Sequence, residues 1–368
     1  MKSLITAFCL GFIALSFSAD TEFGQVEGRC VFAFLGTQDR ALFCFQQADG
    51  VKSLILTGKN GREATWTLPV NAEFLSNTGF ADYAAFALVS TVDSATGFQR
   101  IDLKFIHLGS GAQVVSRVGV KPTMEGRWLN GQNDYFINGR LNILSGDKVK
   151  SERKSGSPYS AINSSRTWGI TAMVKETAKG KSVDIELEEF ATNDMIRVAS
   201  FPCAALPPCL MAFPADPRFV YYCAGANPAL YDLKERQSLL IDNLDYRHPE
   251  YFGFFLDGEQ TFYFYDFHSI VAVDRKKFEI RDVKPLPFGT DRLEILAAGK
   301  MDVAGALIRS VNGLKVYRAF FTYNLKKGKE AIFPLPHAAL LVDIRDGKGC
   351  YYYIDEQNML KFNTREIE

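Results

Sequence analysis

The chain has only four histidines and three tryptophans, and it has no excess charge of either sign, with 42 Lys and Arg set against 42 Asp and Glu. A nucleic-acid partner needs a basic stripe, and this balance argues against one. The short basic run Lys148-Val149-Lys150-Ser151-Glu152-Arg153-Lys154 is broken by Glu152 and followed by turn-forming residues, so it reads as a solvated loop. The chain also lacks a Gly-x-Ser-x-Gly nucleophile elbow, a phosphate-binding Gly-x-x-x-x-Gly-Lys-Ser/Thr loop, a dinucleotide fingerprint and a His-Glu-x-x-His pair. No two cysteines have metal-knuckle spacing, so a structural zinc site is not indicated. No cofactor is called for; calcium or another divalent metal held by loop carboxylates is the alternative. Beyond the first twenty residues no apolar run is long enough to span a bilayer.

Those twenty residues have the three-part layout of a secretion signal. Lys2 precedes the apolar run from Leu4 to Leu15, and the small residues Ser16, Ser18 and Ala19 follow. Cleavage after Ser18 divides the chain into a signal peptide, residues 1–18, and a single domain, residues 19–368, that is secreted or periplasmic and has no membrane span. Bulky Phe8 stands where a lipoprotein signal needs a small residue, so Cys9 is not expected to carry lipid. The six remaining cysteines would lie in a compartment where disulfides survive. Locality favours Cys30 with Cys44 across a predicted hairpin, and Cys203 with Cys209 around a Pro-rich turn, leaving Cys223 and Cys350 as buried thiols.

The body of the chain reads as short strands broken by turns, an all-β fold. Val183, Ile185 and Leu187 alternate with Asp184, Glu186 and Glu188, the period of a strand with one wet face. Thirty phenylalanines supply bulk for a sheet core. Hairpins beginning at Phe219, Phe262, Ala306 and Cys350 recur at steps of about 44 residues. Less regular candidates begin near Val31, Ala85, Tyr135 and Ala172. A period in the forties built of short strands is that of a β-propeller blade, whose apolar face is buried only by stacking on its neighbours. Chain length favours seven blades, and the count of hairpin starts gives eight as the alternative. Little chain follows Phe362, so the stretch from Glu22 to Glu27 is expected to supply the last outer strand, and its removal should cost more than the loss of a frayed terminus.

The segment Phe213-Pro214-Ala215-Asp216-Pro217-Arg218-Phe219-Val220-Tyr221-Tyr222, followed by Ala229-Leu230-Tyr231-Asp232-Leu233, resembles a blade of the YVTN and TolB-like propellers. In that pattern a Ser-Pro-Asp-Gly-Arg-like turn enters a Tyr-Val-rich strand and a later strand ends in Tyr-Asp. The likeness covers residues 213–233 well and the chain to 368 more loosely, and Pro217 stands where the pattern has Gly. What it implies is a fold, because such families host many functions.

Sites on such a scaffold come from loops. The most chemically loaded segment holds Asp242, Asp245, Tyr246, Arg247, His248, Glu250 and Tyr251, which could ligate a metal through carboxylate and imidazole or contact a sugar through the two aromatics. Asp266 and His268 add an acid and a base at a turn, where an Asx turn with a surface histidine is the competing account. Asp346-Gly347 reads as a hairpin turn rather than a calcium loop, and the sequon Asn163-Ser164-Ser165 lies in a Ser-rich stretch that reads as exposed and open to glycosylation. The expectation is a non-catalytic binding or scaffold domain for a protein or carbohydrate. The alternative is a polysaccharide hydrolase or lyase with its site at the mouth of the propeller channel.

Overall fold

The computed structural model describes residues 20–367 apart from 37–39, 75–82, 93–98, 121–125, 129–133, 138–139, 146–147, 154–160, 164, 166, 178–179, 203–209, 213–217, 224–227, 243, 245–252, 258–260, 267, 289–291, 299–301 and 312–313. The signal segment therefore lies outside the described residues. Among those described the fold is all-β, and no helix is long and apolar enough to cross a membrane.

The strands pair antiparallel in chain order. After β1 (Thr21–Gln25), the first sheet holds β2 (Arg29–Leu35), β3 (Ala41–Gln46), β4 (Lys52–Gly58) and β5 (Gly61–Leu68). The second holds β6 (Ala72–Phe74), β7 (Tyr83–Val92), β8 (Gln99–His107) and β9 (Gln113–Val120). The third holds β10 (Gly126–Trp128), β11 (Asp134–Ile137), β12 (Arg140–Ser145) and β13 (Lys148–Arg153), and the fourth β14 (Ala161–Ile162), β15 (Trp168–Thr177), β16 (Gly180–Glu189) and β17 (Asp194–Pro202). The fifth holds β18 (Leu210–Ala212), β19 (Phe219–Cys223), β20 (Ala229–Asp232) and β21 (Gln237–Leu240). The sixth holds β22 (Gly253–Asp257), β23 (Thr261–Tyr265), β24 (Ser269–Asp274) and β25 (Glu279–Pro285). The seventh sheet has seven strands in the order β1-β31-β30-β29-β28-β27-β26, built from β26 (Arg292–Ala298), β27 (Asp302–Val311), β28 (Leu314–Asn324), β29 (Lys329–Arg345), β30 (Lys348–Ile354), β31 (Met359–Glu366) and the N-terminal β1.

That last sheet is two four-strand groups sharing one long strand. The first half of β29 pairs with β28 and its second half with β30, with register breaks near Tyr317 and Ala339 where the pairing passes from one partner to the other. The seven sheets thus contain eight four-strand groups, and each of the eight hairpin starts read from the sequence falls in a different one. Strand β1 completes the last group, as expected, with Thr21 opposite Phe362 and Gln25 opposite Met359.

Burial follows position within each group. In four groups the second strand is enclosed on both faces: β3, β23 and β30 are almost continuously buried, and so are Phe219, Val220, Tyr221 and Tyr222 of β19. Such strands carry apolar residues at most positions because neither face meets water. The fourth strands β5, β17, β21 and β25 are largely exposed, and β5, β17 and β25 carry charged residues that blunt an open sheet edge. In β16 the apolar half of the alternation read from the sequence holds, with Val183, Ile185 and Leu187 in an apolar cluster with Val220, Tyr222 and Tyr231 of the next sheet, whereas Asp184 on the face expected to be wet is buried.

Sheet packs on sheet in chain order, and the last group packs on the first. Leu54 and Leu56 meet Ala72 and Ile106 between the first and second sheets, and Ile143 meets Ile162 between the third and fourth. Tyr221 and Leu230 meet Phe264 and Val271 between the fifth and sixth, and Phe321 lies against Tyr263 and Ile270. Tyr317 and Phe320 pack on Tyr351 and Tyr353 within the seventh sheet. Phe23, Leu341 and Tyr352 of the last group then join Ala41, Phe43, Phe45 and Ile55 of the first. Burying each such side chain is worth about 1.5–3 kcal/mol, so these interfaces dominate stability. Arg62 of β5 ties the same two groups by a polar clamp, its Nε donating to the Phe23 carbonyl at 2.7 Å and its Nη2 to the Gln25 carbonyl at 2.9 Å.

A five-residue turn recurs between third and fourth strands. His107–Gly111, Glu189–Asn193, Asp274–Phe278 and Asn324–Gly328 each close with the fifth amide donating to the first carbonyl at 2.8 Å. The fifth residue is left-handed in each, and so is Arg236 at the corresponding place after Asp232. The first side chain caps the turn in four of them: Asp232 and Asp274 accept the two amides two and three residues on, and Asn324 and His107, the latter through Nδ1, accept the amide three residues on.

The expected Cys30–Cys44 disulfide and the disulfide reading built on it are corrected here, since no disulfide is found among the described residues. Cys30 and Cys44 are both free and buried. A bulge at Val31 sets Cys30 opposite Phe45 and Cys44 opposite Phe32. Cys30 therefore sits with Phe43 and Phe45 against the last group, whereas Cys44 sits on the other sheet face with Leu42 and Leu54, and the two sulfurs point apart. Burial pushes both thiols up to about 12, with mutual repulsion adding to the effect on Cys30. Cys203 and Cys209 lie outside the described residues.

Candidate functional site

Of the residues singled out in the 242–251 segment, Asp242 is exposed at the end of the fifth sheet. Asp245, Tyr246, Arg247, His248, Glu250 and Tyr251 lie outside the described residues. Between them Leu244 is buried in the cluster joining the fifth and sixth sheets.

Asp266 and His268 follow β23 directly. Asp266 is 1% exposed, and its Oδ1 accepts the backbone amides of His268 at 2.7 Å and Ser269 at 2.6 Å. The Asp266 amide donates to the Ser269 carbonyl and the Leu286 amide to the His268 carbonyl, so the turn is held from both sides. The carboxylate thus shapes an Asx turn, and the imidazole stands at the surface.

The other buried acids are also bound into the scaffold. Asp184 accepts from Ser200 Oγ at 2.6 Å and lies 3.0 Å from Lys175 Nζ, which also reaches Glu186 at 2.6 Å. These contacts, led by the Ser200 hydroxyl, hold the Asp184 carboxyl below its ordinary range. Burial works to raise Asp232, but the Arg218 guanidinium, donating through both Nε and Nη2, and the Glu235 and Lys234 amides outweigh it, and its carboxyl is lowered. Asn163 is 1% exposed rather than open to solvent. Its amide donates to Ser165 and Thr167 hydroxyls at 3.0 Å while its carbonyl accepts the Thr167 and Trp168 amides at 2.9 Å. The sequon is an internal loop clamp with its amide nitrogen already engaged, which overturns the reading of an exposed glycan acceptor. Among the described residues no group of three or more His, Cys, Asp or Glu is placed to hold a metal.

A cavity of about 230 Å³ opens between the sixth sheet and the turn joining β28 to β29. Thr261 and Tyr263 of β23, Ile270 and Ala272 of β24 and Leu325 of the turn line it, with Arg281, Asp282, Lys284 and Lys326 among the charged lining residues. Arg281 and Lys326 make no ion pair among the described residues, whereas Lys284 lies 3.3 Å from Asp282. None of the cavity's charged residues was singled out from the sequence. The available signal was the run of basic residues at matching places in the recurring turn, Arg275-Lys276-Lys277 and then Lys326-Lys327.

The chain matches no protein-family model and no curated protein.

Proposed function

We propose that the chain is an exported eight-bladed β-propeller, of the general kind its 213–233 segment resembles, and that it serves outside the cytoplasm as a non-catalytic binding or scaffold domain for a protein or carbohydrate. One observation carries the reading: the four-strand groups pack in chain order and the last returns to the first through β1. Such an arrangement spends its core on rigidity and leaves surface loops to make contacts. The buried carboxylates support it as well, since Asp184, Asp232 and Asp266 are each held by turn amides, hydroxyls or basic side chains.

The test uses the secreted chain purified from culture medium or periplasm. Titration with neutral and acidic oligosaccharides, alongside cross-linking in the native extracellular fraction, should give a saturable complex without release of new reducing ends or unsaturated sugars. Turnover of any of those polysaccharides would contradict the binding reading in favour of the hydrolase or lyase alternative.

A further inference from the structure

The cavity on the sixth sheet is lined by none of the residues of the Asp266–Ser269 turn, and its chemistry is unlike that of a structural crevice. Three observations meet there. Tyr263, Ile270, Ala272 and Leu325 give it an apolar lining. Thr261 is 5% exposed, and its hydroxyl has no hydrogen-bond partner among the described residues. A buried hydroxyl left unpaired costs free energy that a ligand atom can recover. Finally, Arg281, Lys284 and Lys326 set three cations against the single acid Asp282. Arg281 also acts on Asp274, whose carboxylate is already bound to the Lys276 and Lys277 amides.

We propose that this cavity binds a small carboxylic acid with an apolar body, aromatic or short-chain. The carboxylate pairs with Arg281, whose planar fork suits two carboxylate oxygens, and with Lys326. The apolar body lies against Tyr263, Ile270 and Leu325, and the Thr261 hydroxyl bonds the ligand's polar end. At about 230 Å³ the space is below the roughly 300–1,000 Å³ typical of drug-sized ligands, which sets the ligand class as small. This inference does not rest on the preceding reading, and either can fail without the other.

The experiment is a titration of the purified chain with hexanoate and phenylacetate, and with their uncharged amides, followed by ligand-observed NMR and calorimetry. Saturable binding of the acids but not the amides is expected, weakening as salt rises. Arg281→Gln combined with Lys326→Gln should weaken binding at least tenfold. Ala272→Leu, which fills the cavity without altering charge, should abolish it, and an unchanged melting temperature verifies that each variant is folded. The proposal is overturned if the wild-type chain shows no saturable binding, if acids and amides bind alike, or if either folded variant binds as the wild type does.

Discussion

Single residues decide how this molecule handles its polar groups. Cys30 and Cys44 face opposite sides of one sheet with thiols near 12, so neither is a thiolate at neutral pH. Alkylating reagent should leave both unlabelled in the native chain and label both after denaturation, as read by mass spectrometry. Asn163 holds two amides of its own loop, and Asn163→Ala strands them at about 1–3 kcal/mol for each donor left unsatisfied, measurable as a fall in urea midpoint. Removing Arg218 leaves Asp232 buried without its cation. The cost should be about 2–3 kcal/mol, under the value for a fully enclosed pair because the guanidinium is 35% exposed. Both Asp184 and Asp232 have folded-state carboxyls below their unfolded value near 3.9. Their stabilisation is therefore complete above that value and is lost as pH falls through the lower folded pKa. Thermal melts should show stability dropping below about pH 4, less steeply in Asp184→Asn and Asp232→Asn.

At the level of elements, the recurring five-residue turn and the strand β1 carry the most weight. Arg236 takes a left-handed backbone conformation with an exposed side chain, where glycine is free of strain. Arg236→Gly should leave stability unchanged or raise it by about 0.5–1 kcal/mol, a sign opposite to that of glycine in a regular strand. Strand burial explains which repeats were legible in the sequence. The starts at Phe219, Phe262, Ala306 and Cys350 all lie in second strands, which are buried on both faces over most of β19, β23 and β30 and over Ala306 and Leu307 of β27. The start near Val31 fell one strand early, because β2 and β3 are both apolar and the sequence does not distinguish a first strand from a second. The closing role of the Glu22–Glu27 region was readable from the shortage of chain after Phe362. The Cys30–Cys44 pairing failed because nearness in sequence says nothing of which sheet face a side chain occupies, and one bulge at Val31 helps set it. The cavity was illegible for a related reason, since its lining comes from three strands of one sheet and a turn of the next.

On the scale of the whole molecule, stability rests on neighbouring groups burying one another's faces, and the N-terminal strand is where the series closes. Phe23 and Val26 are about 95% buried across that junction, and Arg62 grips the carbonyls beside them. Phe23→Ala should cost about 3–5 kcal/mol, as for a core aromatic and unlike a residue near a free terminus. A permuted chain that carries residues 20–27 after Glu366 on a short flexible link should keep wild-type stability, since β1 already pairs with β31. The most direct test of closure is hydrogen exchange of the wild-type chain by mass spectrometry, following the peptide that spans residues 20–27. It should exchange as slowly as the peptides from β3 and β30, with Arg62→Ala hastening it. Exchange of that peptide within seconds, while β3 and β30 stay protected, would contradict a fold closed by its first strand.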